Sequence, residues 1–236
     1  MPLGQTPFVM SGVSMWKTEA MQRALSIDQS LNVIVANDFE TNTDSSSATT
    51  LSGTVTYDTG LTGGVARIKS GAISLATAIV YNAGGSALIG QPLNESWYVQ
   101  SRCWIKNAPV HYGFACVGIQ DTTGAGPQYV TFGFIGDYDP TYLVLLMSIA
   151  DGSIIQVTTN VPADTSQFHD YGIGRDVVND KLYALYDGTP ALELDGPFPK
   201  LTSNPCFEFA GIINPNISAE NIELWIDNIA AVVKQV

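Results

Sequence analysis

Paired carboxylates are the residues of this sequence whose spacing could support catalysis. Glu193 and Asp195 stand two positions apart in a strand-like segment, so alternation places both carboxylates on one side of a strand. Glu223 and Asp227 share a strand face in the same way, four positions apart. Hydrolysis of a glycosidic bond needs two carboxyl groups about 5–10 Å apart, one on either side of the bond. A glycoside hydrolase is therefore the first activity to test against the sequence.

Histidines and cysteines supply no second catalytic set. His111 and His169 both fall in strand-like segments, and we interpret them as ordinary sheet residues. No Gly-x-Ser-x-Gly segment provides a serine nucleophile, and no glycine-rich phosphate loop precedes a lysine. Cys103, Cys116 and Cys206 are odd in number and lack the close spacing of a zinc site. We expect free, half-buried thiols.

The charge balance excludes two classes of partner. Twenty-two acidic residues stand against ten basic ones, for a net charge of −12. This sign disfavours nucleic acids and anionic membranes, both of which attract Lys and Arg. We expect no membrane span, because no apolar run approaches about 18 residues. We also expect synthesis in a cytoplasm without a signal peptide, since no basic segment leads into an apolar run near Met1.

Short strands separated by turns dominate residues 33–236. Turn signals such as Asp151-Gly152 and Asp187-Gly188 recur about every ten residues, without helical periodicity between them. We expect strands near 97–106, 111–120, 128–136, 141–149, 153–160, 168–176, 181–187, 190–195, 205–213 and 222–234. This pattern predicts an all-β fold, a two-sheet antiparallel sandwich.

The N-terminal segment has a different pattern. Residues 1–13 are rich in Pro and Gly and are typical of an extended arm, whereas residues 14–27 follow a helical period and predict one short amphipathic helix. Four of the five methionines lie within the first 21 residues, and Met suits irregular apolar contacts. We therefore divide the chain into an arm with a helix, 1–32, and a sandwich, 33–236. The helix either plugs one end of the sandwich or docks on a partner through Met15, Trp16, Met21 and Leu25.

Several segments carry a resemblance to a known fold family. Phe168-His-Asp-Tyr-Gly-Ile-Gly-Arg175 is followed by the Asp187-Gly188 hairpin, and the closing strand bears Ile226-Asp-Asn228. Near the start, Asp38-Phe-Glu40 precedes a Gly-Gly-Val-x-x-Ile-x-x-Gly segment that ends at Gly71. Together these segments resemble the concanavalin A-like (laminin G/glucanase) jelly roll, of the kind found in bacteriophage structural proteins. The resemblance covers roughly residues 33–236.

For catalysis, the resemblance implies a pattern that this chain does not complete. Retaining glucanases of this fold carry Glu-x-Asp-x-Glu on one strand face. Glu193-Leu-Asp195 lacks the third carboxylate, because Gly196-Pro-Phe-Pro199 ends the strand. We therefore expect a solvated strand there and a non-catalytic protein.

Calcium is the one candidate cofactor that the resemblance suggests. Many relatives bind structural calcium near the junction of the first and last strands, where this chain has Asp38 and Asp227. Carboxylates and loop carbonyls are suitable ligands for this cation. The alternative is that Asp227 hydrogen-bonds a neighbouring turn and no ion is present. We expect no other cofactor.

Aromatic residues provide a candidate glycan site. Tyr138 and Tyr142 flank Asp137 and Asp139 in a turn, which gives rings and carboxylates side by side. Trp104 is a further candidate on a strand.

Alternation along that strand separates two faces. Tyr98 shares one face with Trp104, while Trp97 shares the other with Cys103. One of the two faces is expected to form the core, because aromatic residues bury large areas in sandwiches.

Two functions follow from the resemblance and the residues. The first is a bacteriophage virion structural protein, either a capsid decoration protein or a tail or fibre module, that docks through its arm. This implies synthesis in the host cytoplasm, other virion proteins as partners and a homo-oligomer, with a trimer as one candidate. The alternative is a lectin-like module that binds host-surface glycans. A lectin carried on the particle would satisfy both.

Overall fold

The structure is a computed structural model with seventeen β-strands in the part of the chain that it describes. The described residues are 9–10, 13–14, 31–37, 39, 45–50, 53–58, 64–70, 77–82, 95–107, 114–121, 129–136, 139–148, 153–198, 206–213 and 222–234. The strands are β1 (Val9–Met10), β2 (Val13–Ser14), β3 (Leu31–Asn37), β4 (Ser45–Thr50), β5 (Thr54–Asp58), β6 (Val65–Lys69), β7 (Thr77–Asn82), β8 (Trp97–Asn107), β9 (Phe114–Asp121), β10 (Tyr129–Ile135), β11 (Asp139–Ser148), β12 (Ile154–Pro162), β13 (His169–Asp176), β14 (Lys181–Tyr186), β15 (Thr189–Asp195), β16 (Cys206–Ile213) and β17 (Glu223–Lys234).

Two antiparallel sheets form a sandwich. Sheet I has the order β12-β11-β10-β9-β16-β7-β4, and sheet II has the order β15-β14-β13-β8-β17-β6-β5. β17 is the longest strand of sheet II and pairs along one edge with β8. Its other edge pairs first with β6, over Glu223–Ile226, and then with β3, over Ile229–Lys234. The all-β two-sheet prediction is confirmed.

The core lies between the sheets and follows from alternation. In β8 the inward residues are Trp97, Val99, Cys103 and Ile105, and in β17 they are Leu224, Ile226, Ile229 and Ala231. β10 and β11 contribute Phe132 and Leu145 from sheet I. The predicted separation of faces in β8 is confirmed, because the Trp97 and Cys103 face is the core face.

The β14–β15 hairpin confirms the predicted turn at Asp187-Gly188. Both residues have positive φ, 48° and 74°, as a two-residue hairpin with a primed turn requires. The backbone N–H of Asp187 donates to the carbonyl oxygen of Asp170, over 2.9 Å, which ties the turn to β13.

The cysteines are free, as predicted, but they are fully buried rather than half-buried, because Cys103 and Cys206 lie in the core between the sheets and Cys116 lies in a second cluster of buried apolar residues. Burial raises the pKa of both Cys103 and Cys116 to about 12, so both remain protonated thiols near neutral pH.

Of the predicted arm, 1–32, the structure describes β1 and β2, which pair antiparallel, and residues 31–32, which begin β3. The predicted helix over 14–27 and the division of the chain at residue 32 stay predictions, because residues 15–30 lie outside the described part. No helix that could cross a membrane occurs within the described ranges.

Candidate functional site

Three aromatic residues form a surface on the outer face of sheet II. Trp225 of β17 lies directly opposite Trp104 of β8 in the strand register, and Phe168 immediately precedes β13. Because Ile105, Leu224 and their inward neighbours fill the core, alternation directs the two indoles away from it. We call Trp104, Trp225 and Phe168, with the side chains that contact them, the tryptophan face.

The rings of this face contact one another edge to face. The Trp104 ring centroid lies 5.6 Å from that of Trp225 and 5.6 Å from that of Phe168, with interplanar angles of 62° in both pairs. All three side chains are partly exposed. Edge-to-face pairs of this kind add stabilisation of about 0.5–1.5 kcal/mol each. The face is therefore a fixed aromatic surface in contact with water.

Both indole N–H groups are held by hydrogen bonds. Trp104 Nε1 donates to the carbonyl oxygen of Thr165 over 2.9 Å, and Trp225 Nε1 donates to Glu223 Oε1 over 2.6 Å. Glu223 Oε2 in turn lies 3.6 Å from Lys69 Nζ. These contacts fix the ring orientations and engage both indole N–H groups.

Cationic side chains lie against the indoles. Lys106 Nζ is 4.4 Å from the ring centroid of Trp104 and 4.1 Å from that of Trp225. Arg67 Cζ lies 4.2 Å from the Trp225 centroid. Each is a cation–π contact, in which the negative face of the ring attracts the cation. The tryptophan face is therefore both aromatic and basic.

The described residues of the predicted glycan site lie on two different sheets. Trp104 belongs to the tryptophan face, whereas Tyr142 lies on β11 of sheet I, where it is 39% exposed. Asp139 begins β11, and its Oδ1 accepts hydrogen bonds from the backbone N–H groups of Thr141 and Tyr142. Asp137 and Tyr138 lie outside the described residues. Trp104 and Tyr142 therefore do not share a site.

The sequence pattern does not predict Trp225, Phe168 or the cations beside them as site residues. A signal was available in Glu223-Leu-Trp-Ile-Asp227, where alternation leaves Trp225 on the polar side of the strand. The sequence pattern identifies this strand only as part of the fold signature. The pairing of Trp225 with Trp104 depends on the register of two strands more than a hundred residues apart, which a local pattern does not specify.

Asp227 lies in an irregularity of β17 rather than in a defined metal site. The register with β8 shifts between Ile226 and Asn228, and Asp227 Oδ2 lies 3.7 Å from Arg102 Nε. Asn228 holds the irregularity to β8, since its Oδ1 accepts the Arg102 backbone N–H and its carbonyl oxygen accepts the Ser101 hydroxyl. A guanidinium beside Asp227 competes with a cation for that carboxylate.

Calcium binding stays a prediction. Within the described ranges no group of three His, Cys, Asp or Glu side chains is arranged to hold a metal ion. Asp38, the other predicted ligand, lies outside those ranges.

The Glu193 and Asp195 carboxylates face a lysine. Lys181 Nζ contacts Glu193 Oε1 and lies 3.4 Å from Asp195 Oδ1, and the Asp195 side chain is 85% exposed. These hydrogen bonds raise the pKa of Lys181. Lys181 and Glu193 also line an open pocket of about 160 Å³ that Tyr183 and Pro190 border. This arrangement matches the predicted solvated strand.

His169 connects two loops to the sandwich. Its Nδ1 lies 2.7 Å from Asp187 Oδ2 and its Nε2 lies 3.0 Å from Asp164 Oδ2, while its ring stacks on Tyr186 at 4.8 Å. Both ring nitrogens therefore lie within hydrogen-bond distance of a carboxylate oxygen. Hydrogen bonds from Ser166, with a smaller contribution from His169, lower the pKa of Asp164.

This cluster contains no activated nucleophile among the described residues. Cys103 lies opposite His169 in the register, but burial raises the pKa of its thiol to about 12. Its Sγ lies 3.0 Å from Ser101 Oγ, and both nitrogens of His169 already face carboxylates. A thiol becomes a nucleophile only as the thiolate, so this arrangement favours a structural role.

The predicted docking residues Met15, Trp16, Met21 and Leu25 lie outside the described residues. The prediction of an arm that attaches to other virion proteins, and that of a homo-oligomer, therefore stay predictions.

Comparison with known proteins identifies the fold. No family model matches the chain, and no curated protein matches it. Solved structures do. SCLam, a non-specific endo-β-1,3(4)-glucanase of family GH16, superposes with a TM-score of 0.57 at 14% identity, over 88% of this chain and 93% of that one. The fold is a concanavalin A-like jelly roll.

Two further structures show the range of proteins that share this fold. A lichenase derived from a mouse hindgut metagenome matches with a TM-score of 0.58 at 12% identity, over 85% of this chain and 99% of that one. The binding domain of botulinum neurotoxin serotype D/C VPI 5993 matches with a TM-score of 0.56 at 15% identity, over 89% of this chain and 50% of that one. The chain thus spans half the length of that toxin domain. At such identities the likeness concerns the fold alone.

Proposed function

We propose that this protein is a non-catalytic carbohydrate-binding module that holds saccharides on the tryptophan face. The observation that carries the proposal is the pair of partly exposed indoles, Trp104 and Trp225, in contact on neighbouring strands of sheet II. Exposed aromatic surface rimmed by polar residues marks interaction sites on soluble proteins. Lys69, Lys106 and Glu223 supply that polar rim.

The physical basis is a rigid apolar surface beside hydrogen-bonding groups. The C–H groups on one side of a sugar ring pack against an indole, while its hydroxyls reach side chains at the edge. Because Thr165 and Glu223 already bind the indole N–H groups, the rings are held in one orientation before a ligand arrives. Such preorganisation reduces the entropy lost on binding.

The absence of catalysis is part of the proposal and rests on the carboxylates. Glu223, the carboxylate that contacts the tryptophan face, is held by Trp225 Nε1 and faces Lys69. Glu193 and Asp195 share Lys181 at the far side of sheet II, across β14 and β13 from β8. Neither arrangement resembles two carboxyl groups on opposite sides of a scissile bond.

The solved structures support a saccharide ligand without specifying one. Glucanases act on glycans. Botulinum neurotoxin type C, whose cell entry depends on interaction with two ganglioside molecules, shares the fold with a TM-score of 0.50, over 83% of this chain and 44% of that one. Glycan recognition therefore occurs repeatedly among proteins built on this sandwich.

The test is a glycan array probed with the wild-type protein and with Trp225→Ala. We expect wild-type binding to at least one saccharide and a loss of at least about tenfold in affinity for the variant, the scale of one buried contact at a hot spot. Trp225→Phe keeps an aromatic ring and should retain part of the affinity, which separates stacking from misfolding.

Tyr142→Ala is the matched control. It removes a partly exposed ring from sheet I, away from the tryptophan face, and should bind as the wild type does. If Tyr142→Ala abolishes binding and Trp225→Ala does not, the saccharide site is the one that the sequence suggested near Tyr142, and the tryptophan face is the wrong surface.

The predicted virion role is compatible with this proposal, since a particle-bound lectin would satisfy both. Its support is the sequence resemblance and the apolar arm at residues 1–32. Deletion of residues 1–30 should leave a folded sandwich that still binds saccharide but is no longer incorporated into particles. Normal incorporation of the truncated protein would contradict the docking prediction.

A further inference from the structure

Among the described residues, the charged side chains at the tryptophan face are mostly basic. Arg67, Lys69 and Lys106 bring three positive charges to it, and Glu223 brings one negative charge. The whole chain has only ten Lys and Arg residues against twenty-two Asp and Glu, with a net charge of −12. A basic surface on an acidic protein attracts anions locally while the remainder repels them, so the charge distribution directs an anionic ligand to this face.

Lys106 differs from four other basic side chains of sheet II. Lys69, Arg102, Arg175 and Lys181 each lie within 4.0 Å of a carboxylate oxygen. No such ion pair is recorded for Lys106 among the described residues, and its ammonium instead lies over the rings of Trp104 and Trp225. Among the described side chains, the partners of this ammonium are therefore aromatic rings rather than a carboxylate.

A sugar that stacks on the indoles must displace the Lys106 ammonium, so the charge of the sugar affects the binding energy. This ammonium lies about 4 Å from both indole centroids, where a sugar ring would stack. A neutral sugar that stacks there displaces the ammonium and loses both cation–π contacts without replacing them. A sugar that bears a carboxylate or a sulfate offers the displaced ammonium a new partner, which restores the lost attraction.

From this geometry we infer that the ligand of the tryptophan face is an anionic saccharide, with Lys106 as the residue that selects for the negative charge. This inference rests on the proposed function and specifies its ligand class. Arg67 and Lys69 contribute the surrounding positive field. The carboxylate of a sialic or uronic acid and the sulfate of a sulfated sugar share the chemistry that Lys106 recognises.

The experiment compares three saccharides that share one disaccharide and differ in the group at its 3′ position: N-acetyllactosamine, which is neutral, its 3′-sialylated form and its 3′-sulfated form. Affinities are measured for the wild type, Lys106→Gln and Lys106→Arg, in low and in high salt. Lys181→Gln is the matched control, because it removes a lysine from the same sheet that pairs with Glu193 and Asp195 rather than with the indoles.

We expect the wild type to prefer at least one charged form over the neutral one, and salt to reduce that preference, as it does for exposed charge pairs. Lys106→Gln should lower the preference by about fivefold, the effect of one exposed ion pair, and leave the affinity for the neutral sugar equal or higher. Lys106→Arg should retain the preference, and Lys181→Gln should not change it. The sialylated and sulfated arms show which anion is preferred.

The possible failures are distinguishable. Equal binding of neutral and charged forms, lost in Trp225→Ala, would overturn the inference and leave the proposed function standing. A charge preference that persists in Lys106→Gln would overturn the role of Lys106. No binding of any saccharide by the wild type, here or on the array, would overturn the proposed function and this inference with it.

Discussion

His169→Ala should destabilise the protein more than any exposed substitution on sheet II. The imidazole is 7% exposed and contacts Asp187 at 2.7 Å and Asp164 at 3.0 Å. It therefore joins the segment before β13 to the β14–β15 hairpin. Replacement by Ala removes both hydrogen bonds and the stack on Tyr186, and it leaves a space at the edge of the core.

The loss of unfolding free energy in His169→Ala depends on how exposed each partner of His169 is. The Asp164 and Asp187 side chains are 39% and 49% exposed, so water can replace the lost contacts and each is worth about 0.5–1 kcal/mol rather than the larger value of a buried pair. Loss of the aromatic stack costs about 0.5–1.5 kcal/mol, and loss of the buried ring surface costs about 1 kcal/mol more. We expect a total of about 3 kcal/mol.

Thermal and urea unfolding at neutral pH measure this loss. For a chain of this length, about 3 kcal/mol corresponds to a decrease in Tm of about 6–12 °C. A double-mutant cycle of His169→Ala with Asp187→Ala isolates the contact itself, and we expect a coupling of about 0.5–1 kcal/mol. Asp195→Ala is the control, since that carboxylate is 85% exposed and should have little effect.

Two results would refute this reasoning. A destabilisation of His169→Ala below about 1 kcal/mol would show that the ring contributes little to stability despite its burial. A coupling with Asp187 indistinguishable from zero would show that the short contact adds nothing beyond the loss of each side chain. In that case the hairpin would be held to β13 by the hydrogen bonds between Asp187 and Asp170 and by the pairing of β13 with β14.

Three further predictions concern stability. Burial raises the pKa of Asp170 despite the nearby Arg102, so the folded state binds the Asp170 proton more tightly than the unfolded state does. Asp170→Asn should therefore raise Tm at pH 7, and this gain should vanish below about pH 3.9, where Asp170 is protonated in both states. Thermal melts over a series of pH values check this prediction. Tyr171→Phe should raise the free energy of unfolding by about 1 kcal/mol, because the buried Tyr171 hydroxyl has no hydrogen-bond partner among the described residues. Tyr98→Phe should lower the free energy of unfolding by about 1 kcal/mol, because Tyr98 Oη donates to Gln100. Urea titrations of both variants check that the two changes have opposite signs. If calcium is bound through Asp227, a chelator should lower Tm in the wild type and not in Asp227→Asn, and an unchanged wild-type Tm would end the calcium prediction.

Local sequence patterns predict the strands of the sandwich but do not predict the candidate site. Each predicted strand from 97–106 onward corresponds to an observed one, because turn dipeptides such as Asp187-Gly188 require positive φ and so fix where a strand ends. The inward face of β8 was also predictable, since alternation is a property of each strand by itself.

The site depends on contacts between strands that are distant in sequence. Trp225 contacts Trp104, and His169 contacts Asp187, only because the strand order and register of the sheet bring them together. The irregularity at Asp227 adds a second difficulty, because a residue inserted in one strand changes which side chains face outward beyond it. No periodicity within a single segment contains this information.

The construction of β17 explains why binding and folding can be tested separately. Leu224 and Ile226 are fully buried in the core, while Trp225 between them faces outward and is partly exposed. Replacing Trp225 therefore removes the proposed saccharide-contacting surface without opening a cavity between the sheets, whereas replacing Leu224 would create one. A variant that loses saccharide binding and keeps most of its unfolding free energy can therefore arise on the outer face of this strand but not on its inner face. If Trp225→Ala unfolds the protein as Leu224→Ala does, the aromatic contacts on the outer face serve primarily to stabilise sheet II, and the proposed binding site must be sought elsewhere.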